Sequence, residues 1–230
     1  EAGTIGDFVI LSFSQDKIID AVSGGALIIR DNKLKKSERV GAKLIHPPGV
    51  YSIKDRFYPL ETYKIRSAYK LGLGKPYHFV LKKLNLLSNV MNESFYESYS
   101  LPSWHAGLTL YQFDNLEKQL KHRRKIAEIY TSELPDKIFV FNRKETREAV
   151  STSSNLRFPI FIDNGRSDLV KMLQSHGIFL SDIWYTDVAP ECPNAVSDSK
   201  IILNLPTHIN VTEEDAKQIT NIINQFIKHQ

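Results

Sequence analysis

The chain has little sulfur and no extreme of charge or hydropathy. Its 230 residues include one cysteine, Cys192, which excludes an internal disulfide and fits a reducing, cytoplasmic compartment. No apolar run approaches the ~20 residues of a membrane span, and the first residues do not read as a secretory signal. The net charge is +4, too mild to argue by itself for nucleic acid or a membrane. Gly-rich loops of the P-loop or dinucleotide type are absent. The seven histidines are scattered, none at i,i+4 with another ligand, so no metal site is expected. Cys192 reads as a structural thiol rather than a nucleophile. Asp163, Asp182 and Asp187 are acids that turn chemistry explains as well as catalysis does. What remains is the composition of an ordinary globular chain, long enough to bury a core in one large domain or two small ones.

Against that background one stretch stands out. The apolar run Phe8-Val9-Ile10-Leu11 leads into Ser12-Phe13-Ser14-Gln15-Asp16-Lys17, and Ser23-Gly24-Gly25 opens a second apolar run, Ala26-Leu27-Ile28-Ile29. Both runs predict buried strands, residues 8–12 and 26–30. Lys17 sits at their junction without a surrounding charge pattern. An amine held there can form a Schiff base if it is partly neutral, and burial between strands would lower its pKa. Ser12 and Ser14 lie close enough in sequence to offer hydroxyls to the same pocket, as a phosphate requires. A surface-loop lysine is the alternative. The chain opens on Glu1 and enters a strand within a few residues, which reads as the C-terminal part of something longer.

Further along, residues 31–39 predict a solvated turn and a helix start. Residues 50–90 interleave Arg56, Lys64, Arg66, Lys70, Lys75, Lys82 and Lys83 with Phe57, Tyr58, Tyr63, Tyr69, Tyr77 and Phe79. Such a mixture suits a surface that meets phosphates, anionic lipid or another subunit, or an amphipathic helical pair packed on the body with its lysines in water. Residues 92–103 predict a loop. Ser103 is a plausible N-cap for one long helix with Trp104, Leu108, Tyr111, Leu116, Leu120, Ile126 and Tyr130 on one side, Lys121, Arg123, Arg124 and Lys125 outside, and a stop at Pro135. Residues 138–141, 157–162, 178–180 and 201–203 predict short strands. Residues 143–154 read as polar, ending in a loop, and 184–199 as irregular. Asn164 or Ser167 can cap a helix stopped by Gly177, and Thr212-Glu213-Glu214-Asp215 predicts a capped final helix.

The lysine segment, Leu11 to Lys17 followed by Ser23 to Ile28, resembles the cofactor-lysine segment of the DegT/StrS aminotransferases, with Gly6-Asp7 as the lead-in. Two more segments match in order. His105-Ala106-Gly107-Leu108 through Gln112-Phe113 to Arg123-Arg124-Lys125-Ile126-Ala127 resembles the helix entering the small domain. Cys192-Pro193-Asn194-Ala195, Ile202 to His208 and Thr212 to Asp215 resemble the family's C-terminal segments. The resemblance covers roughly residues 1–30 and 103–230. Where the family carries an Asn-x-Arg element, this chain reads Glu97-Ser98-Tyr99-Ser100.

The resemblance implies an α/β fold, the C-terminal part of a fold-type-I transferase dependent on pyridoxal 5'-phosphate. Residues 1–30 would end the large domain, 31–102 would be a basic, aromatic-rich insertion, and 103–230 a smaller α+β domain. By the same resemblance Lys17 would form the Schiff base with the cofactor and shuttle protons at its C4′. Ser12 would bind the cofactor phosphate, with Ser14 beside it, and the partner of the pyridine nitrogen would lie upstream of Glu1. The implied activity is amino transfer from glutamate to a nucleotide-linked keto-sugar in cell-surface polysaccharide biosynthesis, by a cytoplasmic homodimer without nucleic-acid partners. This stretch alone would be inactive. A rival reading is a non-catalytic aminotransferase-like module that meets a partner or an anionic membrane surface through residues 50–90.

Overall fold

In the computed structural model, which describes residues 4–30, 44–69, 71–88, 99–180 and 189–229, the two apolar runs around Lys17 form an antiparallel ribbon. β1 (Phe8–Ser12) pairs with β2 (Gly25–Ile29), with Phe8 opposite Ile29, Ile10 opposite Leu27 and Ser12 opposite Gly25. Aliphatic and β-branched side chains favour this extended backbone. The expectation of buried strands is not met: Phe8, Ile10, Leu27 and Ile28 are all exposed. Among the described residues this sheet ends at two strands, so neither face gains the cover that its apolar composition anticipates.

The chain divides into two compact units, Glu1–Leu116 and Glu117–Gln230. In the first, the basic aromatic stretch is a pair of helices, α1 (Gly49–Tyr69) and α2 (Gly74–Lys83). They approach each other closely at Gly74, where an added Cβ would lie 2.3 Å from the Tyr69 ring and 2.9 Å from the Ile65 carbonyl oxygen. Only glycine fits that contact. α3 (Ser103–Asp114) follows, but its N-cap is Pro102, with no side-chain hydrogen bond, rather than Ser103. A single helix running on to Tyr130 is also corrected. The chain breaks at Asn115, whose Nδ2 donates to the Tyr111 carbonyl at 2.9 Å and so satisfies one of the last acceptors of α3. Phe13, Ile19 and Ala21 form a small buried cluster with Leu11 and Leu108 against it. The turn expected at 31–39 and most of the loop expected at 92–103 lie outside the described residues.

The second unit contains α4 (Leu116–Glu133), a 3₁₀ turn (Asp136–Ile138), α5 (Arg143–Thr152), β3 (Arg157–Phe161), α6 (Arg166–Ser175), α7 (Pro193–Ile201), β4 (Ile202–Pro206) and α8 (Glu213–Lys228). β3 and β4 pair antiparallel, with Ile160 opposite Leu203 and Phe158 opposite Leu205. Those four side chains are buried with Ile126, Tyr130, Leu134, Leu169, Leu173, Ile219 and Ile223 in one continuous core. Thr212 and Asp215 cap α8 reciprocally, as its sequence predicts.

Several expectations for this unit are corrected. The polar stretch 143–154 is mostly helix, started by a capping box of Asn142 and Glu145. Residues 193–201 are helical too, and α6 begins after Gly165 rather than at a polar cap. The apolar run 138–141 makes a single bridge, Phe139 to Ile160, instead of a strand, and 178–180 is not a strand. Arg123 is buried rather than outside, donating to the Leu156 carbonyl at 3.1 Å and to Thr207 Oγ1 at 3.2 Å. Cys192 is exposed, so it is not the packed structural thiol expected.

Candidate active site

The loop between β1 and β2 is held at its base and presents Lys17 at its far end. Phe13 N–H donates to the Gly24 carbonyl at 2.9 Å, Ala21 N–H to Phe13 at 2.9 Å and Gln15 N–H to Val22 at 3.2 Å. Buried Phe13 and Ile19 anchor the loop from within, and the Phe13 ring meets Phe113 of α3 edge-on at 6.1 Å. Val22 is buried at φ +72°, a left-handed conformation that β-branched residues rarely adopt. Its N–H donates to Asp20 Oδ1 at 2.8 Å, one of the contacts that hold it there. Such strain costs on the order of 1–3 kcal/mol and persists only where the surroundings impose it. Burial raises the Asp20 carboxyl above its usual pKa, while the backbone donors of Val22 and Asp16 pull it back down.

Lys17 is exposed, which corrects the picture of an amine buried between strands. It belongs to a turn closed by its own N–H to the Ser14 carbonyl at 3.3 Å, and its amine makes no hydrogen bond or ion pair among the described residues. Ser12 and Ser14 are brought together, their hydroxyl oxygens 3.0 Å apart. Ser12 stands opposite Gly25, where an added Cβ would lie 2.5 Å from the Leu11 carbonyl oxygen. The absence of a side chain at Gly25 is what lets β2 approach the β1 backbone this closely.

Sequence reasoning missed a polar cluster behind this loop. Asp55 of α1 and His105 of α3 are 8% and 2% exposed, and His105 Nε2 lies 2.7 Å from Asp55 Oδ2. Ser23, at the return of the lysine loop, donates to the same carboxylate oxygen at 2.6 Å and lies 3.2 Å from His105 Nε2. A serine–histidine–aspartate relay needs the two partners on different ring nitrogens. Here both sit on Nε2, and Nδ1 is buried without a partner among the described residues, so the cluster fastens three elements together rather than activating Ser23. The available signal was Asp55 itself, one of two acids in a basic stretch.

Metal-ligating clusters of histidine, cysteine, aspartate and glutamate are absent among the described residues. A cavity of about 270 Å³ opens in the second unit among Glu128, Thr131, Ser132, Arg147, Val150 and Ser151, apart in the chain from every predicted site residue.

A family model spans nearly the whole chain: that of the DegT/DnrJ/EryC1/StrS aminotransferase family matches residues 1–224. The chain belongs to this family. Among curated protein sequences none matches it. Its fold is similar to that of a DegT DnrJ EryC1 StrS aminotransferase from Brucella abortus, at 20% identity and TM-score 0.59, over 96% of this chain and 51% of that one. It is also similar to DesI, whose structure was determined in the presence of its TDP-sugar product, at 15% identity and TM-score 0.61, over 97% of this chain and 50% of that one. Helicobacter pylori PseC, an aminotransferase of pseudoaminic acid biosynthesis, is similar at 14% identity and TM-score 0.61, over 98% of this chain and 54% of that one. The chain spans about half the length of these structures, and its mixed α/β fold is that part of the family fold. The residues at the loop fit one end of pyridoxal phosphate, the cofactor that this family implies. An exposed amine can meet its aldehyde, and two adjacent hydroxyls can meet its phosphate.

Proposed function

We propose that this chain is the lysine-bearing half of a pyridoxal-phosphate-dependent aminotransferase that moves an amino group from glutamate to a nucleotide-linked keto-sugar. The observation that carries the reading is Lys17 on a braced loop beside the Ser12–Ser14 hydroxyl pair, in a chain that belongs to an aminotransferase family over residues 1–224. The nucleotide-sugar substrate is supported by the similarity to DesI, whose structure was determined in the presence of its TDP-sugar product. In this reading residues 1–30 close the cofactor-binding domain, 31–102 are an insertion and 103–230 form the small domain. The working protein is a cytoplasmic homodimer.

Pyridoxal phosphate, when bound, supplies the electron sink that makes a substrate α-carbon acidic. The chain supplies position and proton transfer. Ser12 and Ser14 would hold the phosphate with their adjacent hydroxyls. Lys17 would hold the group at its other end, its Nζ being the amine that meets the aldehyde. The same Lys17 amine would be the group placed to take and return a proton at the substrate's α-carbon. The left-handed Val22 and the buried anchors at Phe13 and Ile19 limit the loop's freedom and so would limit the wandering of the amine.

The test is carried out on the full-length protein with added pyridoxal phosphate. A visible absorbance band is expected that borohydride abolishes, leaving the cofactor mass on the peptide containing Lys17. Lys17→Ala should remove both signals, and Ser12→Ala should weaken cofactor binding about tenfold, the loss of one charge-assisted hydrogen bond. Glutamate should then discharge the band and release 2-oxoglutarate. A protein that stays colourless, or is labelled on another lysine, refutes the reading.

A further inference from the structure

The α1–α2 hairpin carries features that chemistry at Lys17 does not use. On α1 the inward side is formed by buried Asp55 and Ile65, with Tyr58 and Thr62 half-buried between them. The opposite side repeats at three- and four-residue steps as Val50, Ile53, Phe57 and Leu60, which are 63, 57, 55 and 48% exposed. Arg56, Tyr63 and Lys64 flank the same stripe. Among the described residues the apolar face is therefore left uncovered, the reverse of a helix packed on a body by that face. α2 continues the pattern. Gly74 and Leu81 are its buried residues, while Phe79 and Val80 are exposed together with Lys75, Lys82 and Lys83.

The charge on this hairpin is one-sided. Residues 49–84 hold eight basic side chains against two acidic ones, in a chain whose net charge is +4. Neither acid faces outward unpaired. Asp55 is committed to Ser23 and His105. Glu61 accepts from Lys64 at 2.8 Å and from Tyr77 at 2.5 Å, and these two donors hold its carboxyl below the usual pKa. Arg56, Lys75, Lys82 and Lys83 make no ion pair among the described residues. A protein partner covering the stripe would have to desolvate or pair these cations, at a cost of several kcal/mol for each one left unpaired. A lipid surface meets both demands together. Its acyl boundary takes the apolar side chains and its headgroup phosphates take the ammonium and guanidinium groups that reach outward.

We propose that the α1–α2 hairpin docks this protein on a bilayer surface carrying anionic lipid, lying in the interfacial plane with Ile53, Phe57 and Leu60 in the acyl boundary. It lies on the membrane and does not cross it, since no helix among the described residues is long and apolar enough to span one. The docking is independent of the chemistry at Lys17.

Vesicle co-sedimentation of the full-length protein tests this. Binding is expected to vesicles of equal parts phosphatidylcholine and phosphatidylglycerol and not to pure phosphatidylcholine. It should be lost between about 0.1 M and about 1 M salt, as the Debye length falls from ~10 Å to ~3 Å. Neutralising three lysines together (Lys75→Gln, Lys82→Gln, Lys83→Gln) should weaken partitioning about hundredfold. The combined Ile53→Ser, Phe57→Ser and Leu60→Ser variant should weaken it at least as much. All six positions are exposed, so unchanged circular dichroism is expected. In the otherwise native protein, Phe57→Trp should shift its emission to the blue on mixed vesicles and be quenched by brominated acyl chains. The proposal is overturned if the protein stays in the supernatant with mixed vesicles at low salt, if it pellets equally with pure phosphatidylcholine, or if the serine variant binds like the native chain. Loss of self-association in the serine variant, with no vesicle binding by the native chain, would instead assign the stripe to a second copy and overturn it as well.

Discussion

Ser23, Asp55 and His105 come from a loop and two helices separated by up to 82 residues, yet they share one carboxylate oxygen and one ring nitrogen. Removing the acid leaves a buried imidazole and a half-buried hydroxyl without that carboxylate, whereas removing Ser23 leaves the Asp55–His105 contact in place. Asp55→Ala is therefore expected to cost about 3 kcal/mol and Ser23→Ala about 1 kcal/mol in urea unfolding. A double-mutant cycle between Asp55 and His105 should show coupling well above the additive limit. Tyr130 gives a second prediction. It is buried, donates to the Pro206 carbonyl at 2.8 Å, and burial holds its phenol above the usual pKa. The folded state thus prefers the neutral ring. Its contribution to stability is complete below about pH 10, where the unfolded phenol is also neutral, and is lost as pH rises beyond that. Tyr130→Phe should lower stability near neutral pH by about 1 kcal/mol and flatten the loss above pH 10, as read by denaturant titration at several pH values. At this scale Lys17, Ser12 and Ser14 stood out in the sequence because residue type and order mark them. The Asp55–His105 contact did not, since nothing in local spacing brings residues 50 positions apart together.

Among the elements, those with a strong local signal were the legible ones. β1, β2, β3 and α8 stand within a residue or two of where alternation, apolar runs and the Thr212–Asp215 cap put them. α5 and α7 were missed because their sequences are polar on most sides and show no apolar stripe, although the Asn142–Glu145 box that starts α5 was present to be read. Phe139 looked like part of a strand, but it pairs with Ile160 at a single bridge and spends its ring against Phe158 at 6.0 Å. Core packing there overrides β propensity. The helical hairpin offers a prediction of its own. Gly74→Ala sets a methyl group 2.3 Å from the Tyr69 ring, so α2 must move away from α1, at a cost of about 1–3 kcal/mol. Faster amide exchange in α2 with little change in β3, β4 or α8 is the expected readout.

Over the whole molecule the two units differ in kind. The second has one continuous core of fully buried side chains, while the first has a cluster built on Phe13, Ile19 and Ala21 and many exposed apolar residues. Amide hydrogen exchange should follow that difference. The slowest amides are expected in α4, β3, β4 and α8, around Ile126, Ile160, Leu203 and Ile223, with β1, β2 and α2 exchanging much faster. Comparable protection in both units would show that buried area is a poor guide here. The family fold was readable because its marks are ordered along the chain, and the α1–α2 hairpin was readable only as a choice between two surfaces until the exposure of Ile53, Phe57 and Leu60 was known. The ribbon of β1 and β2 has a consequence in time as well as in space. A two-stranded ribbon is marginal in water by itself, and it is the stalk on which the lysine loop stands. Whatever covers Phe8, Ile10, Leu27 and Ile28 stiffens that stalk, so under the proposed role of Lys17 the capture of a carbonyl compound would ripen only at the close of folding. Partly folded chains would carry a lysine no more reactive than any other on the surface.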